Sequence, residues 1–204
     1  MLQTQNLAAR RGEALLFSGV SFALAPGTAL LVGGPNGSGK TTLLRILAGL
    51  TQPAEGALAW RGKPVGPFAP ALRADALFVG HLPALADALT ALENLAALAR
   101  LHDGESSPER LREALAAWSL ARQRNLPARA LSQGQRRRVA LARLHLAARP
   151  LWLLDEPATA LDDAGVATLR EAIAAHLAGG GIAVIATHQE LGLPSAPSRS
   201  LRLS

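Results

Sequence analysis

The sequence predicts an α/β fold built on a mostly parallel sheet, and three observations carry that expectation. Four short apolar runs, residues 29–33, 76–80, 151–154 and 182–186, lack in-and-out alternation, as strands covered on both faces do. Stretches with helical apolar spacing separate them, at 41–50, 82–130 and 166–177. A glycine-rich turn joins the first run directly to its helix.

The elements follow in order. Residues 15–24 alternate apolar with small polar side chains, a half-buried strand, and Pro26-Gly27 is a turn. The helix at 41–50 carries Leu43, Leu44, Leu47 and Leu50 on one face, with Gly49 near its end. Pro53 and Gly56 announce a turn before an edge strand at 57–60. Residues 61–76 are rich in Pro and Gly and read as a surface connection. The stretch 82–130 is rich in Ala, Leu and Arg. Ser106-Ser107-Pro108-Glu109 within it is a helix start, with a Ser cap, Pro in the first turn and Glu behind it. Residues 135–148 form a basic amphipathic helix. Gly179-Gly180-Gly181 stops the helix at 166–177, and the last apolar run ends at Thr187-His188.

The chain has 204 residues, 49% hydrophobic, which excludes a disordered polymer and fits one α/β domain with an inserted lobe. Cysteine is absent, so there is no disulfide framework, thiolate metal site or thiol nucleophile. Aromatic residues make up 3%, with no Tyr, too few for a single-strand stacking platform. The net charge is +6, which suits anionic partners but also follows from an Ala/Leu/Arg-rich composition. Residues 1–6 lack the basic n-region of a signal peptide, and no apolar run approaches the ~18 residues of a membrane span.

Gly34-Pro35-Asn36-Gly37-Ser38-Gly39-Lys40-Thr41 matches G-x-x-x-x-G-K-[ST] without mismatch, between a buried strand and a helix. Glycines let several backbone N–H groups face one anion, and the helix start adds its positive dipole end. Lys40 reaches the outer phosphates as a mobile charge, Thr41 offers a hydroxyl to Mg²⁺, and Thr42 follows on the same turn. The apolar run 151–154 ends in Asp155-Glu156. Asp155 is placed for Mg²⁺, and Glu156 to accept a proton from an attacking water. His188 ends another strand. In a parallel sheet the strand C-termini share one edge, so it reaches the same region.

Leu131-Ser132-Gln133-Gly134-Gln135 resembles the L-S-G-G-Q signature of ATP-binding-cassette (ABC) ATPases, with Gln133 for the first glycine. The motif order also resembles that family: phosphate loop, helical lobe, signature, Walker B strand, a D-loop at Thr159-Ala160-Leu161-Asp162, and His188 as switch histidine. The resemblance implies a P-loop NTPase fold of ABC type. It has a mostly parallel sheet, an N-terminal antiparallel β region and a small helical lobe, with core residues about 1–80 and 149–204 and lobe residues about 82–148. It implies ATP and Mg²⁺ as cofactors. It also implies a homodimer in which residues 131–135 cap ATP held by the other copy, and separate transmembrane subunits docking near residues 82–102. The family usually places a glutamine where His81 stands. His81 either takes that catalytic role, hydrogen-bonding as an amide would, or is a hinge residue of the lobe. The aromatic that usually stacks on adenine is missing near residues 10–13, where Arg10 or Arg11 offers a planar cation instead.

Within that family, several strings resemble the ATP-binding subunit of the cytochrome c maturation haem exporter: Gly80-His81, residues 89–95 and 137–144, Leu151-Trp152, and Gly179-Gly180-Gly181 ahead of Thr187-His188-Gln189. That resemblance implies a peripheral ATPase at the cytoplasmic face of a bacterial inner membrane, acting indirectly on a haem chaperone. An ATPase of another transporter and a nucleic-acid cassette are the alternatives. Arg136-Arg137-Arg138 is compatible with the latter, although this helix often carries basic residues near the ATP interface, and no nucleic acid is expected. A small-molecule kinase leaves the signature unexplained. His102, His145 and His176 are read as solvated or packing histidines, not haem ligands.

Overall fold

The computed structural model describes residues 1–101, 106–146, 148–188, 191–193 and 197–204. The chain divides into two compact units. One comprises Met1–Phe78, Arg149–Glu156 and Ile173–Ser204, and the other Val79–Ala148 and Pro157–Ala172.

The first unit holds two sheets. β1 (Leu2–Arg11) and β2 (Ala14–Leu24) form an antiparallel hairpin around Gly12. β3 (Ala29–Gly33) leads into α1 (Lys40–Leu47), and β4 (Glu55–Trp60) and β5 (Lys63–Val65) follow. The antiparallel sheet runs β2-β1-β4-β5, so the strand expected at an edge lies inside and β5 is the edge. Residues 61–76 are more ordered than their Pro and Gly content suggests, because β5 and then α2 (Pro70–Asp75) lie there. A proline at the start of α2 supplies a preset φ and gives up an N–H that has no intrahelical partner.

The second sheet runs β6-β7-β8-β3-β9, with β6 Ala76–Val79, β7 Leu151–Asp155, β8 Ile182–Ala186 and β9 Ser198–Arg202. The β7–β8, β8–β3 and β3–β9 pairs are parallel. β7 and β8 are buried along their whole length, as their unbroken apolar runs require. α1 packs against both, and Leu151 and Leu153 join its Leu43, Leu44 and Leu47 in one core. Trp152 alternates to the other face and stacks on His176 of α6 (Asp163–Ala178) at 3.9 Å with planes 6° apart. The His176 ring also lies against Gly181, where a Cβ would sit 2.2 Å from it. The last glycine of the triplet therefore admits a ring, beyond ending the helix. Burial lowers the His176 pKa, a shift opposed by its contact with Ile182 O.

The second unit is helical. α3 (Ala91–Arg100) opens with a capping box between Thr90 and Glu93. α4 (Pro108–Ala117) opens on Ser107 and Pro108 as expected. α5 (Gln133–Ala142) packs with both. The basic helix is thus shorter than predicted and shifted toward the N-terminus. Ser132 caps it, and it tightens into a 3₁₀ turn at Arg143–His145. Asn94 is buried, and its amide holds the preceding turn through Ala86 N, Ala86 O, Leu89 O and Thr90 O at 2.8–3.0 Å. Trp118 Nε1 donates to His145 Nδ1 at 3.2 Å, and burial, followed by the Arg110 charge, lowers the His145 pKa. His145 and His176 are packing groups. His102 lies outside the described residues. Among the described residues no helix is long and apolar enough to cross a membrane.

Two outcomes follow. Gly181→Ala should destabilise the chain by about 1–3 kcal/mol through overpacking against His176, read as a lower urea midpoint at unchanged slope. His145 and His176 have folded pKa values below the unfolded 6.5. The unfolded state therefore takes up protons first as pH falls through 6.5, and stability declines there. The chain should unfold at lower urea in mildly acid buffer than at neutral pH, and His176→Phe should flatten that dependence.

Candidate active site

In the first unit, residues Gly34 to Thr41 wrap the end of β3 onto α1. Gly34 has φ +137°, and a Cβ there would meet Leu203 O at 2.5 Å and Ser38 Oγ at 2.8 Å. Gly39 has φ +93° and lies against the Phe17 ring, 2.9 Å from where its Cβ would be. Both positions therefore demand glycine on backbone and on space. Gly39 caps α1 without a side-chain hydrogen bond, so the first helical N–H groups are left to a ligand. Pro35, Asn36 and Gly37 are exposed at the loop tip, and Thr42 is half-buried behind it. Lys40 Nζ donates to Gly34 O at 2.8 Å and Pro35 O at 3.0 Å, holding its charge inside the loop. Ser38 Oγ is buried with no partner among the described residues, the kind of orphan that a phosphate oxygen satisfies.

Beside the loop, Thr41 Oγ1 donates to Asp155 Oδ2 at 2.8 Å, and Asp155 is 2% exposed. A hydroxyl and a carboxylate are hard oxygen donors that suit Mg²⁺. Among the described residues no group of three His, Cys, Asp or Glu side chains is arranged to hold a metal. Glu156 departs from the strand with φ +48°. Its N–H bonds Ala186 O at 2.9 Å. Because β7 and β8 are neighbours, the chain after β8 brings His188 alongside, with Nδ1 2.9 Å from Glu156 Oε2. His188 is exposed and Glu156 largely covered. Gln189 lies outside the described residues.

A cavity of about 170 Å³ adjoins this loop, lined by Leu15, Phe17, Val20, Arg202 and Leu203 among others. Larger cavities of about 400 and 550 Å³ lie on the antiparallel sheet around Ala57 and Pro64 and contain none of the predicted residues. Arg10 and Arg11 are exposed at the β1–β2 turn, where Arg10 Nη1 donates to Glu13 O at 3.3 Å.

The second unit carries the signature and the D-loop. Leu131 is buried, and Ser132 Oγ accepts from Gln135 N at 3.2 Å while Gln135 Oε1 accepts from Ser132 N at 3.0 Å. Gln133 starts α5. Gly134 lies so close to the D-loop that a Cβ would be 2.6 Å from Ala160 O. Asp162 caps α6 through Gly165 N at 2.9 Å and pairs with Arg138. These bonds, that to Gly165 first, hold its carboxyl below the usual range. His81 is exposed, and its carbonyl accepts from Arg137. The three arginines of α5 all have partners within the unit. Arg136 pairs with Asp87 at 2.7 Å, Arg138 with Asp162, and Arg137 is buried among carbonyls.

Sequence reasoning missed Arg137, since three consecutive arginines look like a solvated face. It also missed β9, which leads straight into Leu203, whose backbone abuts Gly34. β9 is polar and mostly exposed, so no apolar run marked it.

The ABC transporter family model matches residues 17–159. The cytochrome c biogenesis ATP-binding export protein CcmA 2 of Cupriavidus metallidurans is 49% identical, over 94% of this chain and 90% of its own. The cytochrome c biogenesis ATP-binding export protein CcmA of Dechloromonas aromatica is 48% identical, over 100% of both chains. A dimeric ATP-binding cassette in a post-hydrolysis state, bound to ADP and Pi, is 28% identical with a TM-score of 0.82. That match covers 100% of this chain and 94% of the other.

Thr41→Ala removes one of the two converging oxygens. Its affinity for ATP with Mg²⁺ should fall about tenfold or more, while affinity in excess chelator stays within about twofold. Fluorescent-nucleotide titration in both buffers checks this.

Proposed function

The chain belongs to the ABC transporter family, and on that premise we propose that it is the ATP-hydrolysing subunit of a membrane complex for haem export or haem-chaperone release in cytochrome c biogenesis. Relatives 48–49% identical over 94–100% of this chain carry cytochrome c biogenesis in their names. The observation that carries the catalytic half is the Glu156–His188 pair, at the same strand edge as Thr41 and Asp155.

The phosphates of ATP lie in the loop 34–41 against the N-terminus of α1, and Lys40 exchanges the carbonyls of Gly34 and Pro35 for phosphate oxygens. Thr41 and Asp155 would hold Mg²⁺, which neutralises phosphate charge when bound. Glu156 accepts a proton from water as its oxygen bonds the γ-phosphorus, and the bond to the bridging β–γ oxygen breaks, leaving ADP and phosphate. His188 fixes the Glu156 carboxylate through Nδ1 and presents its other nitrogen to the site.

Two copies dimerise with ATP between them; the similar cassette bound to ADP and Pi is itself dimeric. Ser132 supports this, because a hydroxyl that accepts from Gln135 N–H still has a proton to donate to the other copy's γ-phosphate. Gly134 and the start of α5 add backbone donors, and Asp162 sets the D-loop beside them. Separate transmembrane subunits receive the stroke, with this chain peripheral on the cytoplasmic side.

Glu156→Gln should bind ATP with Mg²⁺, accumulate as a dimer, and hydrolyse about 100-fold more slowly or worse, since an amide accepts no proton. Turnover near the parent level would remove Glu156 as base. Cells carrying it as their sole copy should lack covalent haem on c-type cytochromes in haem-stained denaturing gels. Normal staining would remove the haem assignment and leave the ATPase untouched.

A further inference from the structure

Arg137 lies two residues beyond the signature on α5 and is 2% exposed. A guanidinium so far from water needs its donors filled. They reach backbone carbonyls of two separate segments. Nη1 donates to Gly80 O at 2.8 Å and His81 O at 3.1 Å, and Nε to Pro157 O at 3.2 Å. One segment contains His81, and the other follows Glu156 by a single peptide bond. α5 holds the second segment at two further points, Gly134 against Ala160 O and Arg138 on Asp162.

From this arrangement we propose that Arg137 is a positioning residue for hydrolysis. When the signature engages the other copy's nucleotide, α5 shifts, and Arg137 carries the shift to the backbone at 80–81 and 157. Each copy's hydrolytic geometry thereby depends on its own signature being occupied. A rigid planar fork suits this, because it sets acceptors on two segments in one fixed relation. A lysine ammonium reaches them as a point charge without fixing that relation. The neighbouring buried Arg143 reinforces the requirement for a filled guanidinium, since the two cations lie close enough to repel.

The inference rests on Glu156 being the base, which the Glu156→Gln variant tests separately. If that variant hydrolyses normally, the base assignment falls regardless of Arg137. The test here is steady-state ATPase of the full chain carrying Arg137→Lys or Arg137→Gln, at a temperature where circular dichroism matches the parent. Turnover should fall about tenfold or more in Arg137→Gln and less in Arg137→Lys, with KM for ATP within about twofold, because the loop 34–41 is untouched. Turnover within about twofold of the parent, or a KM that rises as turnover falls, would overturn it. A second measurement needs no variant. In hydrogen exchange of the parent chain with a non-hydrolysable ATP analogue, peptides covering 79–84 and 157–162 should gain protection together with α5. Protection of α5 alone would overturn it.

Discussion

A nucleotide's phosphates carry several negative charges in a small volume, and the loop after β3 has to meet them with backbone N–H groups that point one way. That demand decides the chain path from Gly34 to Gly39, and the neighbours conform to it. The loop backbone comes so close to Leu203 O and to the Phe17 ring that no Cβ fits at either end. β9 therefore runs beside β3, with Leu203 N bonding Gly33 O at 3.0 Å, and β2 presents Phe17 to the base of α1. α1 starts at Gly39 with no side-chain cap, which leaves its first N–H groups open to an anion. Lys40 meanwhile rests on the loop's own carbonyls, so its charge is already in place.

The two acidic residues at the end of β7 differ in environment although they are adjacent. Asp155 continues the strand, is buried, and accepts from Thr41. Glu156 takes a left-handed backbone, unusual for a residue with a side chain and worth about 1–3 kcal/mol of strain. The bond from its N–H to Ala186 O holds that turn. Without it a continued strand would alternate Glu156 to the opposite face. The strain places the carboxylate beside His188, and the adjacency of β7 and β8 in the sheet brings the histidine to it. Sheet order and one strained residue together bring this carboxylate and imidazole into contact.

In the helical unit the signature helix is a hub. Its cap joins Ser132 and Gln135, its glycine admits the D-loop carbonyl, and its three consecutive arginines each find an internal partner. Charge that suggests a nucleic-acid surface from composition is neutralised or buried by the fold. The signature is thus tied to the segments around His81 and Pro157.

The phosphate loop, Asp155-Glu156, His188 and the signature were legible in the sequence, because each needs particular residue types at short fixed spacing on an element that local periodicity predicts. The buried strands were legible for the same reason, as β7 and β8 are covered on both faces and so are apolar throughout. What the tertiary structure alone decided depends on contacts between residues far apart in sequence. β9 is mostly exposed and polar, so only its pairing with β3 makes it a strand. β4 is internal because β5, three residues long, pairs beyond it. Gly181 is required by the ring of His176, and Arg137 is buried by carbonyls from residues 80, 81 and 157. A side chain's partners across such distances leave no periodicity to read, since they are set by how the elements pack.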